Sequence, residues 1–263
     1  MTSVLFDLDG VFYQANQPVP GAAETLLWVK EQHIPHLFVT NTSSRPRSAL
    51  LDKFLNFGIE TDESHILTPA VAAAQWLKDN IHHASVALFV PEATQIEFDD
   101  LNLWQPGDAD PAAIVIGDLG KSWNFETLNQ AFRLLMTDAK PALIALGMTR
   151  YWQAEDGLRL DVAPFVIALQ HATGVSPLVM GKPADLFYQA ALNILGVKAE
   201  QAIMVGDDIK GDIEGAQQMG LKTILVRTGK FRPLDLEQNI QPDAVIDSIK
   251  DFPEWWQKNI ATK

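Results

Sequence analysis

The chain has 263 residues, 47% of them hydrophobic, with no cysteine and a formal net charge of −13. That length holds one large domain or two smaller ones, and the missing thiols exclude disulfides, a thiolate nucleophile and a thiolate metal site. A surface this anionic repels nucleic acid and anionic membrane, and no apolar run approaches the ~20 residues that span a bilayer.

Met1 leads directly into an apolar stretch with neither a basic region nor a cleavage site, so no secretory signal is expected. A reducing, cytoplasmic setting fits the absence of cysteine. The first stretch, Val4-Leu5-Phe6-Asp7-Leu8-Asp9-Gly10-Val11, runs from apolar residues into two aspartates and a glycine. A short continuous apolar run closed by a turn residue predicts a buried parallel strand. Parallel sheets place ligand chemistry beyond the carboxyl ends of their strands. Asp7 is therefore expected at the strand tip and Asp9 in the turn that follows. Two carboxylates at such an edge are costly unless a positive charge lies between them. A divalent cation and a phosphate-bearing substrate are the simplest answer. The plain alternative is an Asp-Gly turn with an incidental acid before it.

Residues 10–20 contain the breakers Pro18 and Pro20 and are expected to be irregular. Residues 22–32 read as a helix, and 37–39 as a second strand ending at Thr40-Asn41. Thr42-Ser43-Ser44-Arg45-Pro46 follow as a polar loop. Its hydroxyls and free amides suit a phosphate, and they equally suit capping of the helix that begins near Pro46. Around residues 67–69 the chain is expected to leave its first domain. Helices at 70–80, 94–101, 125–136 and 164–171 then alternate with strands at 86–90, 113–117 and 142–146, forming an α/β unit of their own. Hinges are expected near residues 68–69 and 174–178.

The stretch Leu178-Val179-Met180-Gly181-Lys182-Pro183 again ends an apolar run in a breaker, now with a lysine at the tip. Lys182 is either an ammonium pointing over the sheet edge or an ordinary surface lysine. A helix over 184–195 follows, stopped by Gly196. Next, Ala202-Ile203-Met204-Val205-Gly206 delivers Asp207 and Asp208, with Gly206 permitting a tight turn. Asp212 falls in the first turn of a helix whose apolar face is Ile209, Ile213 and Ala216. Asp212 can simply answer the helix dipole, and one of the Asp207-Asp208 pair can be a cap. Strands at 223–226 and 244–246 precede a last helix, in which Trp255 and Trp256 read as packing residues. Two strand ends bearing acids, one bearing Thr-Asn and one bearing Lys-Pro are together hard to reconcile with coincidence.

This set resembles the haloacid dehalogenase superfamily of aspartate-nucleophile phosphatases, whose four motifs occur here in order. They are Asp7-Leu8-Asp9-Gly10, Thr40-Asn41, Lys182 in Gly-Lys-Pro, and Gly206-Asp207-Asp208 with Asp212. The insertion between the second and third motifs resembles the large α/β cap of the NagD-like branch, subfamily IIA. Within that branch the chain looks closest to the phospholysine-phosphohistidine-pyrophosphate phosphatase group. The resemblance implies an α/β fold, with a Rossmann-like doubly wound parallel sheet core over 1–68 and 177–263 and a smaller α/β cap domain inserted at 69–176. It implies Mg²⁺-dependent hydrolysis of small phosphorylated metabolites through an aspartyl phosphate. Asp7 is then the nucleophile and Asp9 the acid and base. Thr40, Asn41 and Lys182 hold the phosphate. Asp7, the Asp9 backbone carbonyl and Asp207 hold Mg²⁺, while Asp208 or Asp212 supports Lys182 or the metal. A homodimer through the cap, with no nucleic-acid or membrane partner, completes the expectation.

Rival classes predict different residues. A dehalogenase usually lacks the second acid. A phospho-acceptor signalling domain is much shorter and has no insertion. A silent phospho-ligand binder would have lost Asp7 or Asp9. A phosphotransferase to a second small acceptor stays open, and free phosphate measured against acceptor phosphorylation separates it from a hydrolase.

Overall fold

An apolar run buried on both faces is what a parallel strand between two helix layers requires, and β1 (Ser3–Asp7) is buried along its whole length. The chain is described here from a computed structural model covering residues 2–154 and 156–261. Residues 10–20, expected to be irregular, hold a short hairpin of β2 (Tyr13–Gln14) and β3 (Gln17–Pro18). Strands of two residues are too short to carry an alternation signal. After them come α1 (Ala22–Glu31), β4 (His36–Val39), α2 (Arg47–Asn56) and β5 (Ile66–Leu67).

Thr68 caps α3 (Pro69–Asn80) by accepting from the Val71 amide, with Pro69 at the first helical position. β6 (Val86–Phe89) follows, then a 3₁₀ segment at Glu92–Phe98 where a regular helix was expected. β7 (Ala113–Ile116), α4 (Phe125–Leu135) and β8 (Ala142–Ala145) continue the alternation. A second hairpin, β9 (Tyr151–Ala154) and β10 (Gly157–Leu160), was not expected. Tyr151, Trp152, Leu158 and Leu160 are all exposed there, so the large apolar residues of these strands face solvent instead of forming a core face. α5 (Val162–Thr173) and β11 (Leu178–Val179) end this part of the chain.

The remainder is α6 (Asp185–Leu195), β12 (Ala202–Gly206), a π-helical turn at Ile209–Glu214, α7 (Gly215–Gln218), β13 (Lys222–Val226), β14 (Ala244–Ile246) and α8 (Phe252–Asn259). The sequence reads the segment after β12 as an ordinary helix. Its turn is wider because the Ile213 amide reaches back to the Asp208 carbonyl.

Two units emerge from the packing. The first comprises residues up to Thr40, Arg47–Leu67 and Lys182 onward. Its six-stranded parallel sheet has the order β14-β13-β12-β1-β4-β5. Strand order reverses between β12 and β1, which creates a switch point at their carboxyl ends. Phe6 pairs with Val205 on one side and Phe38 on the other, so Asp7, Thr40 and Asp207 end up at neighbouring tips. One face is packed by Phe6, Phe12, Phe38, Phe54 and Phe252, with ring centroids 5.0–5.4 Å apart in edge-to-face pairs. Each such pair contributes roughly 0.5–1.5 kcal/mol beyond area burial. Trp256 is buried against Phe252, and Trp255 stacks on the same ring.

The second unit comprises Asn41–Pro46 and Thr68–Gly181. Its four-stranded parallel sheet, β11-β8-β7-β6, packs Ile114, Ile116 and Leu143 against Val166 and Leu169 of α5. The expected core boundary at residue 177 needs correction, because Leu178 pairs with Ile144 and Val179 with Ala145 of β8. A short apolar strand does not reveal in sequence which sheet it will join. No helix among the described residues is long and apolar enough to cross a membrane.

Candidate active site

The first unit gathers its charges at the switch point. Asp7 ends β1 buried, and its Oδ1 accepts a hydrogen bond from Lys182 Nζ at 2.5 Å. The same ammonium donates to Asp212 Oδ1 at 2.7 Å and to the Val39 carbonyl at 3.3 Å. All three donors of the buried lysine are thus used. Asp212 Oδ2 accepts from the backbone amides of Asp207 and Asp208, each at 3.1 Å. This close return explains Gly206, where a Cβ would overlap the Asp212 side chain.

The two acids after β12 do different work. Asp208 Oδ1 caps the π-turn through the amides of Lys210 and Gly211, and its Oδ2 pairs with Lys230 Nζ at 3.0 Å. Asp212, and not Asp208, touches Lys182. Asp207 is 1% exposed, and its Oδ2 accepts from the Lys230 amide at 2.6 Å. Its Oδ1 is buried with no hydrogen-bond partner among the described residues. Thr40 is buried at the tip of β4, with its amide on the Leu67 carbonyl at 3.2 Å, and Asn41 follows exposed. Asp9 faces solvent on the turn beyond β1, where the Gly10 amide donates to the Tyr13 carbonyl at 2.7 Å.

Burial pushes Asp7 up to about 7, against the pull of Lys182 and with a further push from Asp212. Burial likewise pushes Asp207 up to about 8, reinforced by Asp7 and Asp212. One lysine does not neutralise three buried acids, so Asp7 rises even while touching it. Burial would lower Lys182, but Asp212 and Asp7 outweigh it and raise the ammonium above its ordinary value. Burial opposes the shift of Asp208, yet Lys230 and the capping amides hold that carboxyl low. Asp9 is raised by desolvation, with Lys53 and Lys230 pulling the other way.

Ligand atoms of Asp7, Asp207 and Asp212 lie within 4.8 Å of one another, all buried. Both Asp212 oxygens are already engaged by Lys182 and two amides. Asp207 Oδ1 is the atom left over, and an unpartnered buried oxygen calls for an ion or water. Hard carboxylate oxygens are the donor set that Mg²⁺ and Ca²⁺ prefer. The residues therefore fit a divalent cation, with Asp7 and Asp207 as ligands and Asp212 as the group that fixes their neighbours.

Three contributors were not singled out from sequence. Thr228 and Lys230 lie just past β13, another strand tip, and reading that tip like the others would have flagged them. Tyr188 on α6 donates to the carbonyls of Gly211 and Asp212 at 2.9 and 3.0 Å, and nothing in its sequence setting marks it.

Fold and site together define a doubly wound α/β protein with a buried acidic centre whose residues fit a cation. A family model for haloacid dehalogenase-like hydrolases matches residues 4–103, and a HAD-hydrolase-like model matches 179–252. The human phospholysine phosphohistidine inorganic pyrophosphate phosphatase is 36% identical over 253 residues, 94% of this chain and 91% of that protein. The p-nitrophenyl phosphatase from Archaeoglobus fulgidus superposes with a TM-score of 0.87 at 30% identity, covering 97% of this chain and 98% of that one. The glycerol phosphate phosphatase from Mycobacterium tuberculosis, solved in complex with calcium, superposes with a TM-score of 0.83 at 28% identity, covering 95% of this chain and 74% of that one. The chain belongs to the haloacid dehalogenase-like hydrolases. It is a hydrolase acting on phosphoric ester bonds.

Proposed function

We propose that the protein is a Mg²⁺-dependent phosphatase of small phosphate monoesters and related phosphorylated metabolites, working through an aspartyl phosphate on Asp7. One observation carries the reading. Buried Lys182 bridges Asp7 and Asp212 in the unit that also buries an Asp207 oxygen with no partner among the described residues. An Asp7 oxygen attacks phosphorus while the ester oxygen leaves with the proton of Asp9. Asp9, now a carboxylate, takes a proton from water, which attacks the same phosphorus and frees Asp7. Lys182, the Thr40 hydroxyl and the Asn41 amide hold the transferring oxygens. Mg²⁺, held by the Asp7 and Asp207 carboxylates and the Asp9 backbone carbonyl, would neutralise phosphate charge as a Lewis acid.

The names of the human and Archaeoglobus relatives support small phosphorylated substrates, including P–N and P–O–P bonds. The second unit, with its inserted residues Thr68–Gly181, is in this reading the part that selects among them.

Release of phosphate from 4-nitrophenyl phosphate, with and without Mg²⁺, tests the proposal. Asp7→Asn should lower the rate by at least about 10³-fold with unchanged circular dichroism. Asp9→Asn should keep Mg²⁺ affinity, whereas Asp207→Asn should weaken it about 10- to 100-fold by calorimetry. Near wild-type turnover by Asp7→Asn would remove the covalent mechanism.

A further inference from the structure

A further strand tip meets the acids of the first unit. β13 ends at Val226, and the chain turns through Thr228, Gly229 and Lys230. The Thr228 hydroxyl donates to the Gly10 carbonyl at 2.5 Å. The Lys230 amide donates to Asp207 Oδ2 at 2.6 Å, and Lys230 Nζ reaches Asp208 Oδ2. Gly10 and Gly229 both have left-handed backbones, with φ of +86° and +65°. A Cβ on either one would overlap the Asp207 carboxylate. The carboxylate therefore lies in a slot between two glycine backbones that only residues without side chains can form. Within it Oδ2 is held by the Lys230 amide, and Oδ1 is left buried without a partner among the described residues. Thr228 closes the slot by tying the β13 turn to the turn that carries Asp9.

We propose that Thr228-Gly229-Lys230 is a positioning segment for the divalent cation, holding Asp207 so that Oδ1 is presented to the ion. The segment fixes the carboxylate before the ion arrives, so less rotational freedom is lost on binding. Hydrogen-bond partners of ligating groups change metal affinity by about 10- to 100-fold when removed. This inference rests on the phosphatase reading only for the identity of the ion.

Calorimetric titration of the metal-free protein with Mg²⁺ alone tests it. Thr228→Val removes the hydroxyl and keeps the shape. It should weaken Mg²⁺ about 10-fold, while the melting temperature without metal stays within about 2 °C of wild type. Thr228→Ser should restore the affinity. Thr228→Ala, a smaller side chain that adds no apolar bulk at a half-buried position, should behave like the valine variant and decides the matter if valine disturbs folding. Wild-type Mg²⁺ affinity in Thr228→Ala overturns the proposal. So does a loss that serine fails to restore, or one that tracks a fall in metal-free melting temperature. Wild-type protein that binds Mg²⁺ but releases no phosphate would defeat the phosphatase reading and leave this assignment standing.

Discussion

Asp7 and Asp207 are carboxyls whose titration the fold moves to about 7 and about 8, chiefly by burial. A carboxyl raised above its unfolded value, about 4, stabilises the fold while protonated. That contribution is complete below the unfolded value and is lost as pH rises through the folded one. The metal-free protein should therefore lose thermal stability from about pH 4 to about pH 8. Mg²⁺ binds the ionised form and acts in the opposite direction. Thermal melts at pH 5, 6.5 and 8, with and without Mg²⁺, should show the metal-induced rise in melting temperature growing with pH. A rise that is largest at pH 5 would contradict this account of the acid cluster.

At the scale of elements, the π-turn at Ile209–Glu214 sets where Asp212 points, and Asp212 carries Lys182. Tyr188 stands behind that turn with its hydroxyl on two of its carbonyls. Tyr188→Phe leaves those carbonyls short of a partner, a cost of about 1–2 kcal/mol. It should also let Asp212 drift, lowering kcat about 3- to 10-fold with a smaller change in KM. Steady-state kinetics beside a thermal melt check both parts. A lower melting temperature with unchanged kcat would confine Tyr188 to the fold. The sequence shows Ile209, Ile213 and Ala216 at helical spacing, and this is true of the buried face. It does not show the widening, which comes from the Ile213 amide reaching back to Asp208.

At the scale of the molecule, the second unit has its own sheet and its own apolar core. Residues 177–181 cannot be left behind when it is removed, because β11 would lose β8. Joining Leu67 to Lys182 through a Gly/Ser linker should leave a protein that still binds Mg²⁺. Its activity on small esters should fall, and its discrimination among them should flatten. Intact substrate ranking in the shortened protein, measured over a panel of phosphorylated metabolites, would place selectivity in the first unit instead.

The sequence by itself determined the parallel strands and the acids at their tips, because both are local. Four or five apolar residues closed by Asp, Thr or Gly state a buried strand and its end without reference to any partner. It also determined most of the alternation that marks the insertion, since the helices and buried strands there carry their own periods, but not the hairpin of β9 and β10 or the 3₁₀ form of Glu92–Phe98. Only the tertiary structure decided what depends on pairing across the chain. β11 joined the second sheet through two backbone pairings that its sequence does not encode. Asp212 rather than Asp208 took Lys182, because Gly206 leaves room for it to fold back on two amides. Thr228 met Gly10 across 218 positions of sequence. Contacts of that separation follow from strand order, and strand order is fixed by how whole faces pack rather than by any single stretch.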